Sequence, residues 1–216
     1  MIRLHYYPGN ASFTPHVLLR ELGLPFELVL VDRAQAAHKT PQYLKLNPNG
    51  QIPVLEDGDL VLYETLAIAL HLVERHGGGR LMPAPGSDAR AQALKWLVWM
   101  TNTLQATLML YFYPDRWFDD GAADAAAQLR RHAEAKAIGL LGQLDAQLAA
   151  SGGPWLLGAD FGLVDIYGFM LCRWTRVFPE RPARSFPHLG PWLQRALERP
   201  ALQQAAAAEG LAAPLV

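Results

Sequence analysis

The sequence predicts two domains, a small α/β domain followed by an all-α domain. Strand and helix signals alternate only in about the first 80 residues. The stretch that follows, GGGRLMPAPGSDAR at 77–90, has the glycine and proline content of an interdomain linker. Beyond it, alanine and leucine recur at helical spacing and strand signals vanish. We therefore predict a first domain at 1–78, a linker at 79–88 and a second domain at 89–216.

A β-α-β unit is predicted to open the first domain. Residues 2–6 and 26–31 are short apolar or alternating runs that suit strands. Between them, Thr14 suits the N-cap of a helix, Pro15 its first turn and Gly23 the C′ position. Because a helix joins the two strands, the simplest arrangement is a parallel pair.

A hairpin and a helix complete this domain. The stretch VLEDGDLVLY (54–63) predicts two strands closed by a turn at Asp57-Gly58. A helix is predicted over 65–76, ending at Gly77. Strands and helices in this order form one small α/β unit.

Helices alone are predicted in the second domain. Their ranges are 89–118, 123–150, 162–178, 187–199 and 201–208, with breaks at Gly121, at Gly152-Gly153-Pro154 and at Pro182.

Charge and composition narrow the function classes. With 19 basic and 20 acidic residues and a formal charge of −1, the chain lacks the basic footprint of a nucleic-acid or anionic-membrane protein. The N-terminus has no secretory pattern, and the most apolar window is interrupted by Glu64 and His71. We expect a cytoplasmic protein that binds a small ligand, with neither nucleic acid nor membrane as a partner.

Cysteine usage excludes disulfide chemistry within the chain. The single cysteine, Cys172, lies in the apolar helical stretch YGFMLCRW and suits a packing role. No Cys/His set has the spacing of a structural zinc site, so no metal is expected. Any thiol that takes part in a reaction must therefore come from a ligand.

Three junctions in the first domain offer polar groups to a ligand. YYPGNASFTPH (6–16) leads from the first strand into a helix, and NPNGQIPVL (47–55) leaves the main chain of Ile52 free to pair if Pro53 opens an edge strand. YETLAI places Glu64 and Thr65 at a helix start, where a carboxylate is favoured. Thr65 can cap the helix and bind the anion, and Glu64 can pair an ammonium.

Taken together, these motifs resemble the cytosolic glutathione transferase family. YYPGNASFTPHVLLRELGLPFELVLVD looks most like bacterial beta-class members, NPNGQIPVL is similar to the family turn with its cis-proline, and YETLAI stands where the family has a Glu/Gln-Ser pair. LLGADFGLVDIYGFMLCRW resembles the helix-start motif of the second domain, with Gly162 in place of the usual Ser or Thr cap and Asp165 retained. The resemblance covers the whole chain and implies a thioredoxin-like N-terminal domain, an all-α C-terminal domain and a homodimer.

Glutathione is the ligand that this resemblance implies. Its γ-glutamyl end would lie at Glu64 and Thr65, and its cysteinyl main chain would pair with Ile52 before cis-Pro53. The residues implied for the glycyl carboxylate are His38, Lys39 and Gln51.

The resemblance departs from the beta class at the catalytic position. The beta-class cysteine falls on Ala11, so a mixed disulfide with an enzyme thiol is not available. Hydrogen bonding to the glutathione thiolate remains, and the candidate donors are Ser12 first, Asn10 second and Tyr6 third. Tyr6 also alternates with Ile2 and Leu4, which is the pattern of a core residue.

An aromatic helix is expected to bind the electrophile. WLVWMTNTLQATLMLYFYPDRWF (96–118) carries three Trp, two Tyr and two Phe, together with the polar residues Thr101, Asn102 and Gln105. The candidate pocket residues are Trp99, Asn102, Tyr111, Tyr113 and Trp174.

Three functions fit these motifs. The first is a transferase that adds glutathione to a small apolar electrophile, a detoxification reaction. The second is a glutathione-dependent isomerase of a maleyl-type enone, for which Arg116, Arg173 and Arg176 are candidate cationic groups. The third is a non-catalytic binding protein of the same fold.

Overall fold

The computed structural model describes residues 1–119 and 123–216, so the break predicted at Gly121 lies outside the described residues. The chain forms two compact units. One comprises Met1–Pro83 with Ala196–Leu215, and the other Ala84–Arg195 with Val216. The predicted ranges differ from this division at the C-terminal end, because residues 196–215 pack with the N-terminal unit.

A four-stranded sheet is the centre of the N-terminal unit, in the order β2-β1-β3-β4. Its strands are β1 Ile2–Tyr6, β2 Phe26–Leu30, β3 Val54–Asp57 and β4 Leu60–Tyr63. β1 and β2 run parallel, whereas β3 is antiparallel to both β1 and β4. The predicted fold class is confirmed, but the hairpin turn is one residue later than predicted, because Asp57 pairs with Leu60 and the loop is Gly58-Asp59. Gly58 has φ +65°, which glycine adopts without steric cost.

The α-helices of the described residues fall in both units. Their bounds are α1 Phe13–Glu21, α2 Pro41–Leu46, α3 Thr65–His76, α4 Asp88–Trp99, α5 Ala106–Phe112, α6 Ala123–Ala150, α7 Leu163–Trp174, α8 Leu189–Leu197 and α9 Pro200–Ala208. No helix in the described ranges combines the length and the apolar character needed to cross a bilayer.

The start of α1 differs from the prediction. Thr14 was predicted as the N-cap, but the helix begins at Phe13, Ser12 holds the N-cap position and Thr14 is buried inside the helix. The end is as predicted: Gly23 has φ +68° and its N–H donates to the Arg20 carbonyl.

Helix α2 was absent from the sequence prediction. Thr40 caps it, since its hydroxyl oxygen accepts from the Tyr43 N–H at 3.3 Å, and Pro41 occupies the first turn. This Thr-Pro pair is a helix-start signal that could have revealed the helix.

The predicted helix over 89–118 is interrupted twice. A π-helical segment, Met100–Gln105, separates α4 from α5. α5 then ends at Phe112, because Tyr113 precedes Pro114 and the residue before a proline is disfavoured in the α conformation.

Helix α7 forms the core of the helical unit, since every residue from Leu163 to Trp174 is buried. Gly162 is its N-cap as predicted, and its N–H donates to Asp165 Oδ2 at 3.0 Å. The other Asp165 oxygen accepts from the Leu156 N–H and from Trp192 Nε1, so one carboxylate joins three segments of this unit.

Candidate active site

The loop after β1 holds Ser12 in a closed position. Its hydroxyl donates to the Tyr7 carbonyl at 3.1 Å and accepts from the Tyr7 N–H at 3.3 Å. The side chain has 0% exposure, so neither water nor a ligand reaches it in this structure. Ser12 therefore closes the loop from 7 to 12 on itself.

Asn10 is the accessible polar side chain of the same loop. It is half-buried, and its Oδ1 accepts from the Ala11 N–H at 2.5 Å. This bond fixes the orientation of the amide, because Oδ1 faces the backbone and Nδ2 is left as the donor end. The neighbouring Ala11 is buried and supplies no thiol.

Tyr6 and His16 lie side by side, with ring centroids 6.4 Å apart. The imidazole of His16 is fully buried, and its Nδ1 lies 2.8 Å from Glu209 Oε1. The second oxygen of Glu209 accepts from the Gly9 N–H at 2.8 Å. Glu209 follows α9, so the last segment of the chain holds the loop that carries Asn10.

The Ile52-Pro53 peptide bond is cis, as the resemblance implied. The preceding carbonyl, that of Gln51, accepts from the Tyr43 hydroxyl at 2.8 Å and from Asn47 Nδ2 at 2.9 Å. Burial raises the pKa of Tyr43, which keeps the hydroxyl protonated as a donor. The β1–β3 register ends at Val54, so the main chain of Ile52 lies outside the sheet.

Gly50 brings the residues expected for the glycyl carboxylate together. It has φ +58°, and a Cβ on it would lie 2.8 Å from the His38 carbonyl oxygen and 2.9 Å from Lys39 Nζ. The ammonium of Lys39 is therefore beside the residue that precedes Gln51, and both Lys39 and Gln51 are exposed.

Glu64 and Thr65 form the start of α3, but the residue at the N-cap position differs from the prediction. Glu64 occupies the N-cap position, and Thr65, predicted as the cap, is the first helical residue and is buried. Glu64 is exposed and has φ +71°, a conformation that is costly for a residue with a Cβ and often marks a functional site. The first N–H groups of the helix lack intrahelical acceptors and can bind an anion.

The sheet register brings the three junctions together along one edge of the sheet, the edge formed by the C-terminal ends of β1 and β4 and the N-terminal end of β3. His5 pairs with Val54, and Val54 pairs with Tyr63. Tyr6, Pro53 and Glu64 each lie one residue beyond these paired positions, at the same end of adjacent strands. Strands are about 4.8 Å apart, so the junctions span roughly 10 Å of this edge.

The candidate electrophile residues lie in the helical unit. Three of them have rings close to Phe112: Tyr111 at 5.0 Å, Tyr113 at 6.5 Å and Trp174 at 6.4 Å between centroids. Burial, reinforced by the charge of Glu134, raises the pKa of Tyr111.

The remaining two candidates lie earlier on the same run of helix. Trp99 packs edge-on against Trp96, with centroids 5.2 Å apart. Asn102 is exposed on the π-helical segment.

Other polar groups of the helical unit take structural roles. Cys172 is buried, and burial raises its pKa, which favours the inert thiol. The guanidinium carbon of Arg116 lies 4.0 Å from the Tyr113 ring centroid, Arg173 is buried, and Arg176 donates to the Arg173 carbonyl.

Sequence reasoning missed four residues that hold the site: His16, Tyr43, Asn47 and Glu209. Only Asn47 left a local signal, because it begins the NPNG turn and its Oδ1 accepts from the Asn49 N–H.

Two family models match the chain. The glutathione S-transferase N-terminal domain matches residues 2–74, and the glutathione S-transferase C-terminal domain matches residues 99–200.

Individual proteins give the same result. The chain is 36% identical over 203 residues to glutathione S-transferase 3 of Zea mays, covering 91% of this chain and 89% of that protein. A solved glutathione transferase from Methylococcus capsulatus is 31% identical with a TM-score of 0.80, covering 98% and 100% of the two chains. A solved family member from Pseudomonas fluorescens, which has two glutathione molecules bound, is 26% identical with a TM-score of 0.80, covering 94% and 91%. With both domain models matched in order, this chain belongs to the glutathione S-transferase family.

Proposed function

We propose that the protein is a glutathione transferase that activates bound glutathione as a thiolate, by hydrogen bonding, for attack on a small apolar electrophile. The observation that carries the proposal is the meeting of three polar junctions, at Asn10, Ile52 and Glu64, at one edge of the sheet. An extended tripeptide spans about 10 Å, which matches the width of that edge.

Each part of glutathione has a partner of suitable chemistry there. The ammonium of the γ-glutamyl group pairs with the exposed carboxylate of Glu64, and its carboxylate accepts from the first N–H groups of α3 and from Thr65. The cysteinyl main chain pairs with Ile52. The glycyl carboxylate faces Lys39, with His38 and Gln51 beside it.

Asn10 is the thiolate donor in this proposal, ahead of Ser12 and Tyr6. The Ser12 hydroxyl would have to break its bond to the Tyr7 carbonyl before it could donate to sulfur. Asn10 instead has its amide oriented by the Ala11 N–H, which leaves Nδ2 as the donor. Ser12 then acts as a positioning residue for the loop.

The energy required for thiolate formation is within reach of these groups. Lowering a thiol pKa from about 8.5 by about two units requires roughly 2.7 kcal/mol in favour of the charged form. One hydrogen bond to an anion contributes about 1.5–3 kcal/mol, and a helix N-terminus such as that of α1 adds about 0.3–1 kcal/mol.

Thiolate absorbance of the protein–glutathione complex, titrated against pH, tests this assignment. Asn10→Ala should raise the pKa of bound glutathione by about one to two units, because it removes the donor. Ser12→Ala should shift it less and should instead lower the stability of the loop. A large rise in Ser12→Ala with an unmoved midpoint in Asn10→Ala would return the role to Ser12, and no movement in either would point to Tyr6.

Calorimetry tests the γ-glutamyl subsite independently. Glu64→Ala and Thr65→Ala should each weaken glutathione binding about tenfold or more, since an unpaired buried polar group costs about 1–3 kcal/mol. Glu198→Ala is the matched control, because Glu198 is exposed and lies outside the proposed subsites. Unchanged affinity in both subsite variants would refute the assignment.

Activity assays decide the reaction. Chlorodinitrobenzene, epoxides, alkyl halides, peroxides and maleyl enones are screened with glutathione. Consumption of one glutathione per product is the result expected of a transferase, and product formed without net loss of glutathione would indicate an isomerase. Retention on immobilised glutathione with no turnover of any substrate would indicate a binding protein.

A further inference from the structure

A second cluster of chemically competent side chains lies at the opposite edge of the sheet. Asp57 Oδ2 is 2.9 Å from His71 Nε2 and 2.9 Å from His76 Nε2. All three potential ligand atoms lie within 4.8 Å of one another, and no other group of three His, Cys, Asp or Glu in residues 1–119 and 123–216 meets this spacing. Two imidazoles therefore converge on one carboxylate oxygen.

The alternation of side chains along β3 explains why Asp57 points toward α3. Neighbouring residues of a strand point to opposite faces of the sheet. Glu56 is accordingly 2.8 Å from His5, whereas Asp57 faces α3 and contacts His71 and His76. Glu56 and Asp57 therefore contact different histidines on opposite faces of the sheet.

The donor set suits a divalent transition-metal ion. Zn²⁺ binds histidine nitrogen at about 2.0–2.1 Å and carboxylate oxygen at about 2.0–2.2 Å, which places tetrahedral ligand atoms about 3.4 Å apart. The observed 2.9 Å separations need to widen by only about 0.5 Å on that geometry. Two imidazoles with one carboxylate are ligands that zinc, cobalt and nickel accept.

Accessibility also fits an ion with open coordination positions. The side chains are 12% exposed for Asp57, 16% for His71 and 22% for His76. They are buried enough to be held in place and exposed enough for an ion to enter with its remaining waters.

One neighbouring charge opposes a cation. Arg75 Nε lies 3.6 Å from Asp57 Oδ2, so its charge lowers the affinity for a cation; its side chain is 64% exposed, and solvent screening reduces this cost without removing it. The carbonyl end of α3, where His76 is the last residue, acts in the opposite direction because its partial negative charge favours a cation.

We infer that Asp57, His71 and His76 form a binding site for one divalent transition-metal ion of the zinc type, which ties the β3–β4 hairpin to the end of α3. The ion replaces the two hydrogen bonds to Asp57 with coordination by one carboxylate oxygen and the two Nε2 atoms. Asp57 is the last residue of β3, and Pro53 immediately precedes the first residue of that strand. The metal site therefore lies about 13 Å along the strand from the edge where glutathione is proposed to bind.

No sequence motif indicated this site, and no metal was expected from the sequence. His71 and His76 are five residues apart, which on an ideal helix separates them by about 140° around the axis. That spacing matches none of the His-His motifs of metal-binding helices. The hairpin supplies the third ligand and the convergence.

Isothermal titration of the untagged protein with Zn²⁺ in glutathione-free buffer tests the inference. One equivalent per chain should bind, and Co²⁺ in its place should develop visible absorption bands of a nitrogen- and oxygen-ligated ion. His71→Gln, His76→Gln and Asp57→Asn should each lower the affinity by at least about 100-fold, since even residues outside the coordination sphere contribute 10- to 100-fold. His132→Gln, at an exposed histidine of the helical unit, should leave it unchanged.

A variant that removes no ligand guards against loss of folding. Arg75→Gln should tighten Zn²⁺ binding several-fold, because it removes a positive charge beside Asp57. The inference is overturned if the unaltered protein binds no Zn²⁺ at millimolar concentration, if binding survives all three ligand substitutions, or if Arg75→Gln leaves the affinity unchanged.

Discussion

Replacement of Glu209 should strongly destabilise the N-terminal unit. Its side chain and that of His16 have no exposed surface. Both carboxylate oxygens are used, Oε1 with His16 Nδ1 and Oε2 with the Gly9 N–H, each at 2.8 Å. Arg20 Nε lies 2.9 Å from His16 Nε2 and can only donate a hydrogen bond to it. The proton of the His16 ring is therefore on Nδ1, which donates a hydrogen bond to Glu209.

The size of the effect follows from these two bonds. A hydrogen bond to a charged group contributes about 1.5–3 kcal/mol, so two of them correspond to about 3–6 kcal/mol. Glu209→Ala removes both and deprives the buried His16 Nδ1–H and the part-buried Gly9 N–H of this acceptor. Glu209→Gln should lose about half as much unfolding free energy as Glu209→Ala, because the amide oxygen can accept from one donor while the NH₂ group faces the other donor.

Urea denaturation of Glu209→Ala, Glu209→Gln and the exposed control Glu198→Ala measures the loss. Hydrogen exchange of the Gly9 amide gives a local readout. Its exchange rate should be higher in Glu209→Ala than in the unaltered protein, because the hydrogen bond that protects this amide is lost. A loss below about 1 kcal/mol in Glu209→Ala, with Gly9 exchange unchanged, would refute the argument that this carboxylate holds the loop.

Three other outcomes are expected. Burial raises the pKa of Asp165 to about 6 from 3.8 despite four N–H donors. The contribution of this raised pKa to stability is therefore full below pH 3.8 and is lost as the pH rises through 6. Relative to Asp165→Asn, the protein should lose about 3 kcal/mol of unfolding free energy over this window in pH-dependent denaturation. Gly50→Ala should cost at least about 1–2 kcal/mol in urea, because φ is +58° and the Cβ would lie 2.8 Å from the His38 carbonyl oxygen, and equal stability would show that the loop can move. Light scattering across micromolar concentrations should give the mass of a homodimer, as the resemblance implies, and a monomer mass throughout would sink that prediction.

The local elements of the fold could be predicted because their signals are local. Alternating apolar runs identified the strands, and Gly23 and Gly77 identified helix ends. The errors were displacements at single residues, such as Ser12 in place of Thr14 at the start of α1, where neighbouring side chains compete for one capping position. Helix α2 was missed because its few residues carry little periodicity.

The site divides in the same way. The sequence alone was enough to predict the three junctions and the family resemblance, because each is written in a short contiguous stretch. Only the tertiary structure showed that the Ser12 hydroxyl is inaccessible to a ligand, since its hydrogen bond to the Tyr7 carbonyl depends on the folded loop. It also decided that Glu209, 200 residues from Gly9, holds that loop, and that Asp57 meets His71 and His76. Such contacts arise from packing between distant segments, and the spacing of residues along a chain carries no record of them.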